Sequence, residues 1–219
     1  MANSIPAQRG RSDPNGKGQY LAHEFDLGHL QGLSAAAIDL HLELYHGYVK
    51  AVNELLAEDD PSSPGNRMPG KKGSSARSSP RFAFEWNGLV MHESFFESLA
   101  GSHDEPLPLD GAMATAARRS FGGLEQWQAD CLQLAHTRGV GWVVCSYEPR
   151  SERLYNHWVE LHHVSHTINT VPVLVLDMWE HAWITDFKPS QRDDYFQCLW
   201  GQINWPVVEA RASTPTLLR

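Results

Sequence analysis

The run Val171-Pro-Val-Leu-Val-Leu-Asp177 constrains this chain more than any other segment. Its aliphatic, largely β-branched residues read as a buried strand, and the strand ends in a carboxylate. Four positions on comes His181, with Trp179 between the two and Trp183 after them. A strand end that delivers one Asp and one His into a dry pocket is suited to holding a metal ion. The remaining donors have to come from elsewhere in the chain.

A chain of 219 residues with 42% hydrophobic content can build one large domain or two small ones that share an interface. The formal charge of −8 argues against generic nucleic-acid binding and against attachment to anionic membranes. No apolar run reaches the length of a membrane span. The first 18 residues are polar and lack the apolar region of a secretory signal, so a cytoplasmic protein is expected. Cys131, Cys145 and Cys198 are odd in number and far apart, which indicates neither a disulfide framework nor a zinc ribbon. Twelve histidines and eight tryptophans are many for this length, and together they suggest imidazole ligands inside a stiff apolar wall.

Residues 1–22 read as a disordered arm. Ser34 can cap a helix from Ala35 to about Leu56, whose apolar face carries Ile38, His41, Leu42, Tyr45, Tyr48, Val49, Val52 and Leu55. Residues 58–80 hold almost nothing apolar and read as a flexible loop. A second helix is expected from Phe84 to Leu99, a loop over 101–112 and a third helix from Gly123 to His136. Strands follow at 142–147, Arg153–Leu161 and Val171–Asp177, and a helical pattern closes the chain from Asp193 to Ala210. This order predicts an α+β fold: an N-terminal helical hairpin over 23–100, then an α+β domain over 101–219 with a small three-stranded antiparallel sheet. No internal repeat is found.

Taken alone, His41 and His92 would pass for core histidines. On the facing sides of two antiparallel helices, joined by Asp177 and His181, they make three nitrogens and one oxygen. That donor set suits Mn or Fe and leaves a coordination position open for solvent or a small substrate.

At these residues the chain resembles the iron/manganese superoxide dismutase family. Asp177-Met-Trp-Glu-His181-Ala follows that family's D-x-W-E-H-A signature without a gap. His41, after Leu33-Ser-Ala-Ala-Ala-Ile-Asp-Leu, matches its first ligand, and His92, within Asn87-Gly-Leu-Val-Met-His92-Glu-Ser-Phe-Phe, its second. Gly139-Val-Gly-Trp142 and the closing segment Asp194-Tyr195, Leu199-Trp200 and Ile203-Asn-Trp205 match as well. The resemblance covers about 30–57 and 81–209. It implies one Mn or Fe per chain, bound by His41, His92, Asp177 and His181 between the two domains. The implied reaction is disproportionation of superoxide to dioxygen and hydrogen peroxide. A superoxide-dismutase-like metal-binding protein with an interaction role is the alternative reading.

The resemblance also implies an outer shell and a subunit contact. Iron-type members often carry a Gln four residues before the second ligand, where this chain has Gly88. His162, 15 residues before Asp177, is the expected hydrogen-bond partner of the solvent ligand, with His163 and His166 as competitors. Tyr48 resembles the gateway tyrosine but falls seven residues after His41 where the family has eight. Seven residues are about two α-turns, so Tyr48 still faces the same way as His41; the helix is expected to be regular, without the family's π-bulge, whose loss can displace the ring. Trp142 and Trp179 are expected to wall the cavity, and Arg192 to attract superoxide near the entrance. Glu180 and His181 imply a bridge across a homodimer. A further family pair between subunits is lost, because its positions here are Tyr45 and Ile184.

Overall fold

The computed structural model describes residues 19–58, 79–101 and 105–213. The expected arm up to residue 18, and residues 59–78 of the expected loop, lie outside the described residues. Tyr20, expected to belong to the arm, is instead fastened to the first helix. Its N–H donates to Asn53 Oδ1 at 2.8 Å, its carbonyl accepts from Asn53 Nδ2 at 2.9 Å, and its ring meets Trp86 edge-on.

Helix α1 spans Ala35–Glu58 and is α-helical throughout. Ser34 Oγ accepts from the Ala37 N–H at 3.2 Å, which caps the first turn as its sequence position predicts. The buried face, Ala37, His41, Tyr45, Val49, Val52 and Leu55, follows a three-to-four residue period. Helix α2 spans Pro80–Glu97, starting four residues earlier than Phe84 and ending two before Leu99. Ser79 explains the early start. Its side chain accepts from the Phe82 N–H, and Pro80 supplies a preset φ where no amide hydrogen is needed. The helices run antiparallel, so that Tyr45 Oη reaches Glu93 while the Tyr48 ring lies against His92.

Two short helices follow. Helix α4, Leu124–Ala135, was expected; α3, Ala112–Phe121, was not. Gly111 offers α3 no side-chain cap. The Glu209 carboxylate does so from the far end of the chain, accepting from the Ala112 and Met113 N–H groups at 2.5 and 3.0 Å.

The strands β1 (Gly141–Glu148), β2 (Arg153–Glu160) and β3 (Val171–Asp177) form one antiparallel sheet in the order β2-β1-β3. The central strand pairs Trp142 with Val159 on one side and Asp177 on the other. It must begin at a glycine. A Cβ on Gly141 would lie 2.3 Å from the Val159 carbonyl oxygen.

Past the sheet come α5 (Glu180–Trp183), a 3₁₀ turn at Pro189–Gln191, α6 (Arg192–Trp200) and α7 (Trp205–Ser213). The single closing helix expected over Asp193–Ala210 is thus two. Pro206 lacks an N–H, and Asn204 is drawn away to the end of α2. Its N–H donates to Ser98 O at 2.7 Å and its Nδ2 to Ala100 O at 2.6 Å. Arg211 then ties α7 to α2 and β3 through Ser98 Oγ, Ser94 O, Glu97 and Val173 O. The outcome is a helical hairpin joined to an α+β part, and the end of β3 points into the seam between them. No described helix is long and apolar enough to cross a membrane.

Candidate metal centre

Four elements deliver four donors to one point. His41 comes from the end of the second turn of α1, His92 from α2, Asp177 from the last position of β3, and His181 from α5. One donor atom from each lies within 4.8 Å of all the others. Asp177 Oδ2 is the hub, 3.1 Å from His41 Nε2, 3.2 Å from His181 Nε2 and 3.7 Å from His92 Nε2. Donors about 2.1 Å from a common ion, at angles of about 90–120°, would stand about 3.0–3.6 Å apart.

The protonation pattern fits the same conclusion. His92 is fully buried, and its Nδ1–H donates to the Gly88 carbonyl at 2.6 Å. Burial pushes its pKa well below the ordinary value, the neighbouring His41 adding to the effect, so the ring is neutral. The Nε2 lone pair therefore faces the hub, buried and without a hydrogen-bond partner. A buried orphan of that kind is costly unless a cation takes it up. Burial likewise lowers the pKa of His41. Burial by itself would raise the Asp177 carboxyl, but the His181 charge and the hydrogen bonds from His181 and His41 outweigh it and bring the pKa down. The carboxylate is further held in place by its own turn, with Oδ1 accepting from the Trp179 N–H at 2.9 Å. Its backbone carbonyl accepts from the buried Tyr195 hydroxyl at 2.9 Å. Burial alone would lower the His181 pKa, but the Asp177 carboxylate raises it, so His181 gives up its proton when a cation takes that proton's place. Three imidazole nitrogens and a carboxylate oxygen then fit Mn or Fe.

Beside the donors runs a hydrogen-bonded chain. Trp142 Nε1–H, a donor only, meets His162 Nδ1 at 3.1 Å, and His162 Nε2 lies 2.8 Å from Tyr48 Oη. Burial lowers the His162 pKa to about 4, so the ring is neutral at physiological pH. A neutral imidazole that accepts at Nδ1 carries its proton on Nε2. His162 therefore donates to Tyr48, whose own hydroxyl proton is left for another acceptor. Burial also raises the Tyr48 pKa, so this phenol stays protonated. Of the three neighbouring histidines, only His162 takes part in this chain. His166 Nε2–H donates to the His162 carbonyl at 2.8 Å, and His163 lies beyond Phe84.

Helix α1 is regular, as expected, and from it the Tyr48 ring lies 5.1 Å from His92 while its hydroxyl reaches His162. Trp142 stands 4.9 Å edge-on to His92, and Trp179 stacks on His162 at 4.7 Å and 13°. Phe84 meets His162 nearly edge-on at 4.6 Å, a contact that no motif signalled. Arg192 is engaged with the backbone: it donates to Thr137 O at 2.9 Å and Met178 O at 3.3 Å, with Trp158 beside its guanidinium. Tyr45 is fully buried, accepting from the His23 N–H and donating to Glu93, while Glu180, at the start of α5, and Ile184, just past its end, are exposed.

Comparison with known proteins agrees with this geometry. Residues 109–211 match the family described as iron/manganese superoxide dismutases, C-terminal domain. The chain is 33% identical to the Mn/Fe superoxide dismutase of Aeropyrum pernix over 175 residues, covering 78% of this chain and 79% of that protein. It is 35% identical to the iron superoxide dismutase of Cupriavidus metallidurans, covering 83% and 89%. It is 28% identical to the manganese superoxide dismutase of Mycolicibacterium fortuitum, covering 88% and 91%.

Proposed function

We propose that this chain, which belongs to the iron/manganese superoxide dismutase family and disproportionates superoxide, does so at the centre formed by His41, His92, Asp177 and His181. The reaction takes two superoxide radicals and two protons to one dioxygen and one hydrogen peroxide. A bound Mn or Fe ion supplies the one-electron chemistry, passing between its 3+ and 2+ states. The chain supplies everything else. His41, His92 and His181 would offer imidazole nitrogens, His181 losing a proton as the ion binds, and Asp177 would offset part of the ion's charge. Trp142, Trp179 and Phe84 exclude bulk water from the donors.

Peroxide needs protons that superoxide does not carry. The chain Trp142–His162–Tyr48 holds them in a fixed order: indole N–H to Nδ1, Nε2–H to Oη, and the Tyr48 hydroxyl as the last donor. Trp142 sets the tautomer, His162 sets the direction and Tyr48 presents the proton. Arg192 keeps a positive charge by the end of β3 and would raise the local concentration of an anionic substrate. Exposed Glu180 and Ile184 beside His181 support a homodimer built on this face. Three free thiols, two of them buried, fit the reducing conditions of the cytoplasm. The chain divides near residue 100 into the hairpin and the α+β part.

The observation that carries the reading is the buried His92 Nε2, without a hydrogen-bond partner and aimed at the Asp177 hub. Metal analysis of the purified protein, combined with a superoxide dismutation assay, tests it. About one Mn or Fe per chain and dismutase turnover are expected, and His92→Ala should lose both. Metal-loaded protein without turnover would sink the assignment.

A further inference from the structure

Gly88 stands near the middle of α2, where glycine is a poor choice because it gives up backbone freedom that alanine does not have to lose. Its φ is not left-handed and its carbonyl is used by His92, neither of which requires glycine. The reason for glycine lies across the helix interface. A Cβ at position 88 would stand 2.7 Å from Tyr48 Cδ1, 2.8 Å from Cε1 and 3.1 Å from Cγ. The Tyr48 ring rests on the bare backbone of Gly88.

The spacing in α1 accounts for this. Seven residues fall about 20° short of two full turns, so Tyr48 points slightly to one side of the His41 direction. From a regular helix the ring reaches the centre only by crossing directly over α2. Its hydroxyl then lies 2.8 Å from His162 Nε2, with His92 at 5.1 Å and Phe84 at 6.2 Å around the ring. Carbon atoms prefer about 3.5–4.0 Å, so a methyl at position 88 would push the ring away by about 1 Å. A shift of about 1 Å takes the hydroxyl oxygen beyond the ~3.2 Å upper range of an N–H···O hydrogen bond.

We propose that Gly88 is a positioning residue: its missing side chain lets the unbulged α1 set Tyr48 against His162, so glycine at 88 and tyrosine at 48 form one unit. The inference rests on the proton-chain role given above to Tyr48 and His162. It also means that this chain has no room for a side chain at 88 while Tyr48 is present.

The test combines Gly88→Ala with Tyr48→Ser and Tyr48→Phe in metal-loaded protein, reading metal per chain, thermal midpoint and dismutation rate. With Tyr48 present, Gly88→Ala should lower the midpoint and the rate while metal per chain is kept, since the Gly88 carbonyl remains. In the Tyr48→Ser background the same change should raise the midpoint, as alanine does in an open helix. In the Tyr48→Phe background it should still lower the midpoint, because the ring is still there, but cost no further rate. An equal midpoint shift in all three backgrounds, or an additive loss of rate with Tyr48→Phe, overturns the proposal. If Gly88→Ala alone does not fold, recovery of folding by Tyr48→Ser supports it and failure to recover overturns it. Wild-type protein that binds metal without turnover would count against the assigned function, leaving the midpoint cycle to judge Gly88 separately.

Discussion

Replacing His162 with alanine, and separately with glutamine, tests the hydrogen-bonded chain most directly. Alanine removes the acceptor of the Trp142 indole N–H and the donor to Tyr48. Trp142 is fully buried, so its N–H is orphaned, at a cost of about 1–3 kcal/mol. Tyr48 is half-buried and can turn to solvent, so its loss is smaller, about 0.5–1 kcal/mol. The ring contacts of His162, stacked on Trp179 and edge-on to Phe84, add about 0.5–1.5 kcal/mol. The expected destabilisation is therefore about 2–5 kcal/mol, or roughly 4–20 °C in midpoint for a chain of this size. Glutamine keeps the polarity, with Oε1 to accept from Trp142 and Nε2–H to donate to Tyr48. It should recover half or more of the lost stability, and most of the lost turnover. Neither variant touches a metal donor, so metal per chain stays as in the wild type. The assays are chemical denaturation, metal analysis and dismutation on the same preparations. Equal stability and equal turnover for the alanine and glutamine variants would refute the chain of donors as described.

Acid should act through His162 as well. Its folded pKa, about 4, lies below the unfolded value of about 6.5, so the unfolded chain binds the proton more readily. The contribution is whole above pH ~6.5 and is lost as pH falls from there through ~4. The midpoint of His162→Gln, which has nothing to titrate, should fall less steeply over that window in a denaturation series. Tyr195→Phe removes the buried hydroxyl that donates to the Asp177 carbonyl; about 1–2 kcal/mol of stability should go while metal is retained, read by denaturation and metal analysis. Gly141→Ala drives a methyl to 2.3 Å from the Val159 carbonyl at the start of the central strand, and little soluble folded protein should be recovered on expression.

Three of the four candidate donors were legible in the sequence because they sit in segments whose periodicity is unambiguous, and His181 follows from its fixed spacing after Asp177. His41 and His92 fall on apolar helical faces, and Asp177 ends an unbroken aliphatic run. The strands were legible for the same reason, down to the β3 boundaries. Three features were not. Helix α3 is short and alanine-rich, and its N-terminus is capped by Glu209, nearly a hundred residues away, which no local pattern can signal. The break at residues 201–204 hangs on Asn204 bonding to the end of α2, again a tertiary contact. The exact place of Tyr48 could not be read either, because the count along α1 is one residue short of the family's. The space that admits its ring lies on the other helix, at Gly88, and is visible only once α1 and α2 are packed.

The pairing of Trp142 with Asp177 across β1 and β3 has a consequence for how the protein is made. The donors are numbered 41, 92, 177 and 181, so the hairpin can contribute only two imidazoles while it emerges from the ribosome. The carboxylate and the last imidazole arrive with β3, whose register against β1 brings Asp177 beside Trp142, the tryptophan whose indole N–H meets His162. A slip of one residue would turn Asp177 to the opposite face of the sheet and leave the hairpin histidines without their hub. Correct strand pairing is thus a checkpoint on metal acquisition: a nascent or misregistered chain has no complete site with which to capture an ion.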